Sequence, residues 1–442
     1  MIPTKLLAGL VLCGICASAV EPDWPNVEQH AIAFLRRYVQ AATVNPPADT
    51  RLSADLLTAE FKAAGLETTS FRSGPYGKTN LMVRLPGRDR SKRPLLLLNH
   101  MDVVPVDPPR WKFPPFGGVI FRDMMWGRGT LDMKSTGVMQ LTALVLLKQF
   151  GIMPARDIVF VSTCDEETGG VDGAKWMIER HWDELNPEYV LDEGGVGSED
   201  VYAQGKLVFG ISIADKQVLW LRLRAAGTSG HGSQPIPDNA NDLLMRAIEK
   251  AKELPPPQKP NPLVEKMKDA VGAFASNKFI HAIQRNTISV TSLRSGVGDP
   301  PKANVIPSSA EATLDCRLLP GQNAEEFVSE MKARINDPHI SVEVISTKPD
   351  DAVPSRTDTP LFTAIAAAIR KQHTDATVMP IVVPFGTDAQ KFRMRGITAY
   401  GIMPMVIDAA TFATMHSDSE HIPVDQFRQA LHIYFDILRS DW

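Results

Sequence analysis

The chain has 442 residues, 44% of them apolar, and a formal net charge of −4. That length supports two or three domains with substantial cores. The slight acidic surplus gives no reason to propose nucleic acid or an anionic membrane as partner, and no low-complexity segment or internal repeat interrupts the sequence.

At the N-terminus, Lys5 precedes an apolar stretch from Leu6 to Cys16, and Ala17-Ser18-Ala19 fits the small-residue pattern that signal peptidase cuts. Residues 1–19 therefore read as a signal peptide, with Val20 opening a secreted or periplasmic chain that keeps no membrane attachment. The alternative is a retained anchor, but the apolar stretch falls short of the roughly 20 residues that span a bilayer. Cys13 and Cys16 make a poor lipoprotein box. Cleavage leaves Cys164 and Cys316, between which no disulfide is expected, since a core this large holds without staples.

Leu95 to Leu98 form a short, unbroken apolar run, the pattern of a parallel strand buried on both faces. His100 and Asp102 follow at its carboxyl end. In "WGRGTLDMKSTGVMQLTALVLLKQFG", Asp132 stands where a helix starts, Met133, Val138, Leu141, Leu144 and Val145 form its apolar face, and Gly151 stops it. "DIVFVSTCDEETGG" is a strand from Ile158 to Ser162 that runs into Asp165, Glu166 and Glu167, with glycines that let the backbone turn. "YVLDEGG" repeats the arrangement with Asp192 and Glu193.

From Lys216 to Ala226 the chain alternates like a half-buried strand, and "DNANDLLMRAIEKAKEL" follows as a helix with Leu244, Ala247, Ile248 and Ala251 on one side. The Pro-rich "LPPPQKPNP" breaks the pattern. Two strands ("NTISVTSLRSG", "AEATLDCRLLPG"), a helix ("AEEFVSEMKARI") and a last strand ("HISVEVIS") complete a β-α-β-β-α-β, ferredoxin-like unit. Residues 215–350 thus read as a domain inserted between two parts of one α/β catalytic domain, 20–214 and 351–442, whose mixed, mostly parallel sheet is flanked by helices. His416 lies in "TMHSDSEHIP", ahead of a C-terminal helix with an apolar stripe of Phe427, Leu431, Tyr434, Phe435 and Leu438.

In open α/β sheets ligands bind outside the carboxyl ends of the strands, so these scattered acids and imidazoles converge on one crevice. The chemistry that needs such a set is metal-assisted hydrolysis. Zinc accepts imidazole nitrogen and carboxylate oxygen, and two ions about 3.5 to 4 Å apart need a carboxylate bridge. Asp132 is the expected bridge. His100 would bind one ion and pass its other ring proton to Asp102. Of Glu166 and Glu167, one serves as ligand, leaving Glu166 as the general base. Taken singly, a His-x-Asp pair is more often a solvated cap and a Glu-Glu pair surface charge. Several strand or helix ends carrying acids, with a late histidine, outweigh those readings.

The run HMD, GRGTLDMK, DEETGG, LDEGG, SGHGS and MHSDSE resembles the M20 family of metallopeptidases and aminoacylases over nearly all of the mature chain, and "LDEGG" and "PFGTDA" most resemble its carboxypeptidase S and N-acyl amino acid hydrolase branch. The resemblance implies two Zn²⁺, with Co²⁺ or Mn²⁺ also suited to the groups. His100 and one acid of the Asp192 and Glu193 pair would hold one ion and Glu167 and His416 the other, with Asp132 between. Asp192 is favoured, with Glu193 close behind. It also implies Glu166 as base, Asp102 as partner of His100, a cis peptide after Asp132, and a lid that forms a homodimer in some relatives.

By the same resemblance His231, in "AAGTSGHGSQP", would reach from the lid to polarise the scissile carbonyl; otherwise it is a turn histidine. Asn304 and Arg317 are candidates for holding substrate oxygen or carboxylate, although a strand-face arginine is more often solvated. Gly386 and Thr387 of "PFGTDAQKFR" fall in what looks like the family's substrate-carboxylate loop, where Asp388 has the alternative role of capping the next helix. The expected substrate is a small peptide or an N-acyl amino acid, cleaved at an amide beside a residue with a free carboxylate. Rival readings are an M28-type aminopeptidase, against which the insert argues, and a catalytically silent binding protein.

Overall fold

The computed structural model describes residues 21–254, 260–345 and 353–442. The expected signal peptide, the centre of the Pro-rich stretch and the return from the insert at 346–352 lie outside the described residues. Helices α1 (Trp24–Gln40) and α2 (Arg51–Ala63) precede a hairpin of β1 (Thr68–Arg72) and β2 (Thr79–Leu85). Then come β3 (Leu95–His100), α3 (Lys134–Gln149), β4 (Ile158–Thr163), β5 (Tyr189–Ser198) and β6 (Val208–Asp215). The insert carries β7 (Gln217–Ala226), α4 (Ala240–Lys252), α5 (Pro262–Val271), α6 (Lys278–Ile283), β8 (Thr287–Ser295), β9 (Ser309–Leu318), α7 (Ala324–Ile335) and β10 (Ile340–Val344). The chain ends with α8 (Pro360–Gln372), β11 (Thr377–Val383), α9 (Ala389–Arg393), β12 (Thr398–Val406) and α10 (Val424–Arg439).

The main sheet runs β1-β2-β4-β3-β5-β12-β6-β11. Its centre is parallel, β3 with β4 and β5 and β5 with β12, while the β1–β2 hairpin joins antiparallel to β4. Every residue of β3 and β4 is buried, as an apolar run covered on both faces requires. The carboxyl ends of β3, β4 and β5 therefore open on one side. Helix α3 departs from its expected single apolar stripe. Ser135, Thr136 and Gln140 are as buried as Leu144, because the helix is wedged between the sheet, α1 and α10. Gly151, at φ +64°, takes the left-handed conformation just beyond its end. The expected stripe of α10 is buried in full.

The insert's sheet has the order β10-β7-β9-β8, every pair antiparallel, and its core is formed with α4 and α7. The Pro-rich stretch concealed two further helices. Asn261 caps α5 by accepting from Leu263 N–H, with Pro262 at the first position. Leu263, Met267 and Val271 of α5 and Phe279, Ile280 and Ile283 of α6 pack into the core of the main sheet, not that of the insert. Buried Lys216 sits at the crossing, donating to Ala282 O, Arg285 O and Thr287 Oγ1 at 2.9, 2.8 and 3.1 Å. No helix among the described residues is long and apolar enough to cross a membrane.

Candidate metal centre

His100, the last residue of β3, is 2% exposed. Its Nε2 lies 3.0 Å from Asp132 Oδ1, while Asp132 Oδ2 lies 3.0 Å from His416 Nε2. One carboxylate thus faces two imidazoles from segments that the sheet and the C-terminal loop bring together. Asp132 precedes α3 across a cis peptide to Met133, and His416 holds φ +62° in a loop after Ala409–Phe412. Glu167 Oε2 comes within 3.3 Å of His416 Nε2. Donor atoms of His100, Asp132 and Glu167 lie within 4.8 Å of one another, as do those of His100, Glu166 and Glu193.

The acid pair on β5 resolves itself through a bulge. Gly401 of β12 pairs with Asp192 and the next residue, Ile402, with Gly195, so Glu193 and Gly194 are extra to the ladder. A bulge of this kind re-aims a side chain. Glu193 Oε1 reaches 3.6 Å from His100 Nε2, whereas Asp192 Oδ2 accepts the N–H of Ala389 at 2.8 Å. The geometry reverses the preference for Asp192. Gly401 is what permits the close approach, since a Cβ there would lie 1.8 Å from Glu193 O.

Asp102 also differs from expectation. His100 Nδ1 is 2.9 Å from the Asp102 backbone carbonyl and 3.6 Å from its carboxylate. That carboxylate instead accepts the backbone N–H groups of Glu166 and Glu167, each at 3.2 Å, and Asn45 Nδ2 at 2.8 Å. It fixes the turn bearing both glutamates. Asp165 completes this turn in the left-handed region at φ +81°, held by Lys78 Nζ at 2.6 Å and by Thr168 Oγ1 at 2.6 Å. Asn45 and Lys78 carry no motif in the sequence, and only the folded contacts reveal them.

Burial pushes the Glu166 carboxyl well above the usual range; His100 opposes the rise, and Glu193, Asp388 and Glu167 add to it. Burial likewise raises Glu193, with Asp132 adding its charge. Burial opposes the opposite shift at Asp132, yet the hydrogen bonds with His100 and His416 hold its carboxyl well below the ordinary value. His416 is pushed up to about 11: burial works against this, and Asp132 and Glu167 outweigh it. Acids this close in a dry crevice repel one another and call for positive charge. Glu167 Oε1 is buried without a hydrogen-bond partner. An orphaned carboxylate oxygen beside imidazole nitrogens fits a cation, and the N/O donor set fits zinc.

The residues expected to touch substrate are placed less directly. His231 is exposed on a two-residue strand paired with Val305–Ile306, and its Nδ1 is 2.8 Å from Ser233 Oγ. Asn304 is its neighbour there, its carbonyl accepting from Gly232 N–H at 2.8 Å. The Arg317 fork is engaged by Asp315, at 2.7 and 3.0 Å. Thr387 is 3% exposed and gives both its N–H and its hydroxyl to Asp215, at 3.2 and 2.9 Å. It is an internal brace, not a free donor. Gly386 is half-buried against Val218 at the insert junction. Asp388 makes no side-chain cap to α9; it accepts from Thr163 Oγ1 and Lys391 Nζ.

Fold and centre together define a metallohydrolase, and the comparisons with known proteins place it more narrowly. Residues 96–440 match peptidase family M20/M25/M40, so the chain belongs to that family, which is metal-dependent and hydrolyses amide bonds. Among its relatives, the probable carboxypeptidase S-like 2 of Dictyostelium discoideum is 28% identical over 82% of this chain and 74% of its own length. Aminoacylase-1 of Sus scrofa is 26% identical over 93% and 95% of the two chains, and the N-fatty-acyl-amino acid synthase/hydrolase PM20D1 of Mus musculus 26% over 82% and 77%. The fold is shared with the M20 family metallo-carboxypeptidase Sso-CP2 of Sulfolobus solfataricus, with TM-score 0.73, 19% identity and 92% and 98% of the chains covered. Human carnosine dipeptidase 1 superposes with TM-score 0.72, 15% identity and 94% and 97% coverage.

Proposed function

We propose that the chain is a two-zinc hydrolase cleaving an amide beside a residue with a free carboxylate, a metallocarboxypeptidase or dipeptidase. The observation that carries this reading is the Asp132 carboxylate, with one oxygen toward each of His100 and His416. His100 and Glu193 would hold one ion, Glu167 and His416 the other, and Asp132 both. When bound, such ions polarise the amide carbonyl and make water a nucleophile at neutral pH. Glu166, on the same turn as Glu167 and with donor atoms near His100 and Glu193, would take the proton of the attacking water and hand it to the leaving nitrogen. Asp102 keeps the Glu166–Glu167 backbone in register for that transfer.

N-acyl amino acid hydrolysis is the second reading, favoured by the near-complete mutual coverage with an aminoacylase. Both readings leave a free carboxylate on the product. Mass-spectrometric detection of amino acid released from dipeptides, C-terminally amidated dipeptides, N-acetyl and N-fatty-acyl amino acids, with and without zinc, separates them. Zinc-dependent release confined to substrates with a free carboxylate supports the class, and the preferred half of the panel names the activity. Two bound ions with no release anywhere would favour a binding protein.

We also read the chain as exported, on the strength of residues 1–19. A homodimer through the insert is supported by its open edge at β8, where Leu293 is 65% exposed. Light scattering of the mature chain tests the second point, and N-terminal sequencing of exported protein the first.

A further inference from the structure

Glu420 closes the motif MHSDSE, and the catalytic reading gives it no task. Its side chain is 0% exposed. Oε1 accepts three backbone N–H groups, from Gly129 at 2.9 Å, Leu131 at 2.9 Å and Asp132 at 3.2 Å. Oε2 accepts Arg128 Nη1 at 2.5 Å, and the Glu420 carbonyl takes the N–H of Gly127 at 3.0 Å. Arg128 is itself 2% exposed and stacks its guanidinium 5.2 Å above the Trp111 ring. Its Nη2 donates to the backbone carbonyl of His416 at 3.3 Å.

A buried ion pair is weak grounds for a stabilising role, because apolar residues of similar volume often hold a fold as well. Apolar residues, however, would leave the three gathered N–H groups without partners. The carboxylate fixes the 129–132 turn from behind, and that turn sets the heading of the Asp132 side chain. Arg128 extends the same constraint to the loop that presents His416. Through the reacting crevice these two segments meet at the Asp132–His416 contact, and the ion pair is a further tie behind it, placed away from substrate.

We infer that Glu420 and Arg128 are positioning residues that lock Asp132 and His416 at the separation needed to share a metal ion. The inference rests on the two-ion reading above. Outer partners of metal ligands typically govern affinity by about 10- to 100-fold, and a loss of that size is expected here, larger for the ion held by His416, because the ion pair ties the His416 loop as well as the Asp132 turn.

The test uses the full mature chain and the metal alone. Zinc affinity is measured by chelator competition, and Co²⁺ is titrated in while its visible absorption band is followed, since that band reports the geometry around the ion. Glu420→Gln keeps the shape and an oxygen for the turn but removes the charge facing Arg128. In a folded Glu420→Gln, as judged by circular dichroism, the weaker ion should fall off about 10- to 100-fold more readily and the Co²⁺ band should change shape. Two ions at unchanged affinity with an unchanged band would overturn the inference. Should that variant not fold, Arg128→Lys decides: it retains the buried charge but not the fork that also reaches the His416 carbonyl. Selective weakening of one ion supports the lock, and wild-type affinity for both overturns it. A wild-type chain that takes up no divalent ion would sink the two-ion reading and the lock with it, an outcome distinct from a wild type that loads two ions beside variants that do the same.

Discussion

Glu193 brings Oε1 to 3.6 Å from His100 Nε2 because the strand carrying it bulges at that residue. The neighbouring Asp192, 1% exposed, spends its carboxylate on the N–H of Ala389 at the start of α9. The two acids therefore have separable jobs. Glu193→Gln should lower the zinc bound per chain by one equivalent or weaken it about 10- to 100-fold, with little change in folding. Asp192→Asn should retain the metal and cost about 1 kcal/mol of stability through its altered bond to the helix. Metal analysis by mass spectrometry beside denaturant unfolding checks both, and loss of metal in Asp192→Asn with full metal in Glu193→Gln would exchange the assignments.

Glu166 shares a turn with Glu167, the proposed ligand, and the Asp102 carboxylate holds the backbone of both at 3.2 Å. Glu166→Gln preserves size but cannot carry the proton. Turnover should fall about 10²- to 10⁴-fold with both ions kept. If metal is lost instead, Glu166 is the ligand and Glu167 the base, an arrangement that the closeness of Glu166 to His100 and Glu193 makes worth testing.

Much of this centre was legible before folding because its residues stand where apolar runs end. His100 after Leu95–Leu98 and the glutamates after Ile158–Ser162 are placed by strand position alone, and the structure puts them at adjoining carboxyl ends. Which of Asp192 and Glu193 faces inward was not legible, since it turns on a bulge set by Gly401 more than two hundred residues away. Asn45, Lys78 and Glu420 were missed for a related reason: each acts through backbone or carboxylate partners distant in sequence, with no spacing to betray it. Arg317 and Thr387 were legible as donors, but not the acids already engaging them.

The helices hidden behind the Pro-rich stretch make a separate prediction about the core. Met267 of α5 is 0% exposed and packs with the main sheet, although it lies within the inserted sequence. Met331 of α7 is equally buried in the insert's own core. Truncating either to Ala should cost about 2–5 kcal/mol. Met267→Ala should destabilise the catalytic part, and Met331→Ala the insert. Hydrogen exchange mapped by peptide locates the loosened region, and protection lost in β8–β10 rather than β11 of Met267→Ala would place α5 with the insert.

Cys164 adjoins the Asp165–Glu167 turn but is built to be inert. It is 0% exposed, its Sγ lies 3.4 Å from Asp172 O, and burial pushes its thiol from 9.0 up to about 12. Burial does the same to Cys316, also to about 12. Because the folded value is raised, each thiol's contribution to stability is full below pH 9 and is lost as pH climbs through 12. At pH 8 the reactive thiolate should be only about one part in ten thousand of either folded side chain, against roughly a tenth in the unfolded chain. A short iodoacetamide pulse at pH 8 followed by peptide mapping should therefore leave both cysteines unmodified in the folded protein and alkylate both in guanidinium. Rapid native alkylation at Cys164 would mean that the turn beside Glu166 opens to solvent, and the rigid setting given to that turn by Asp102 and Lys78 would have to be abandoned.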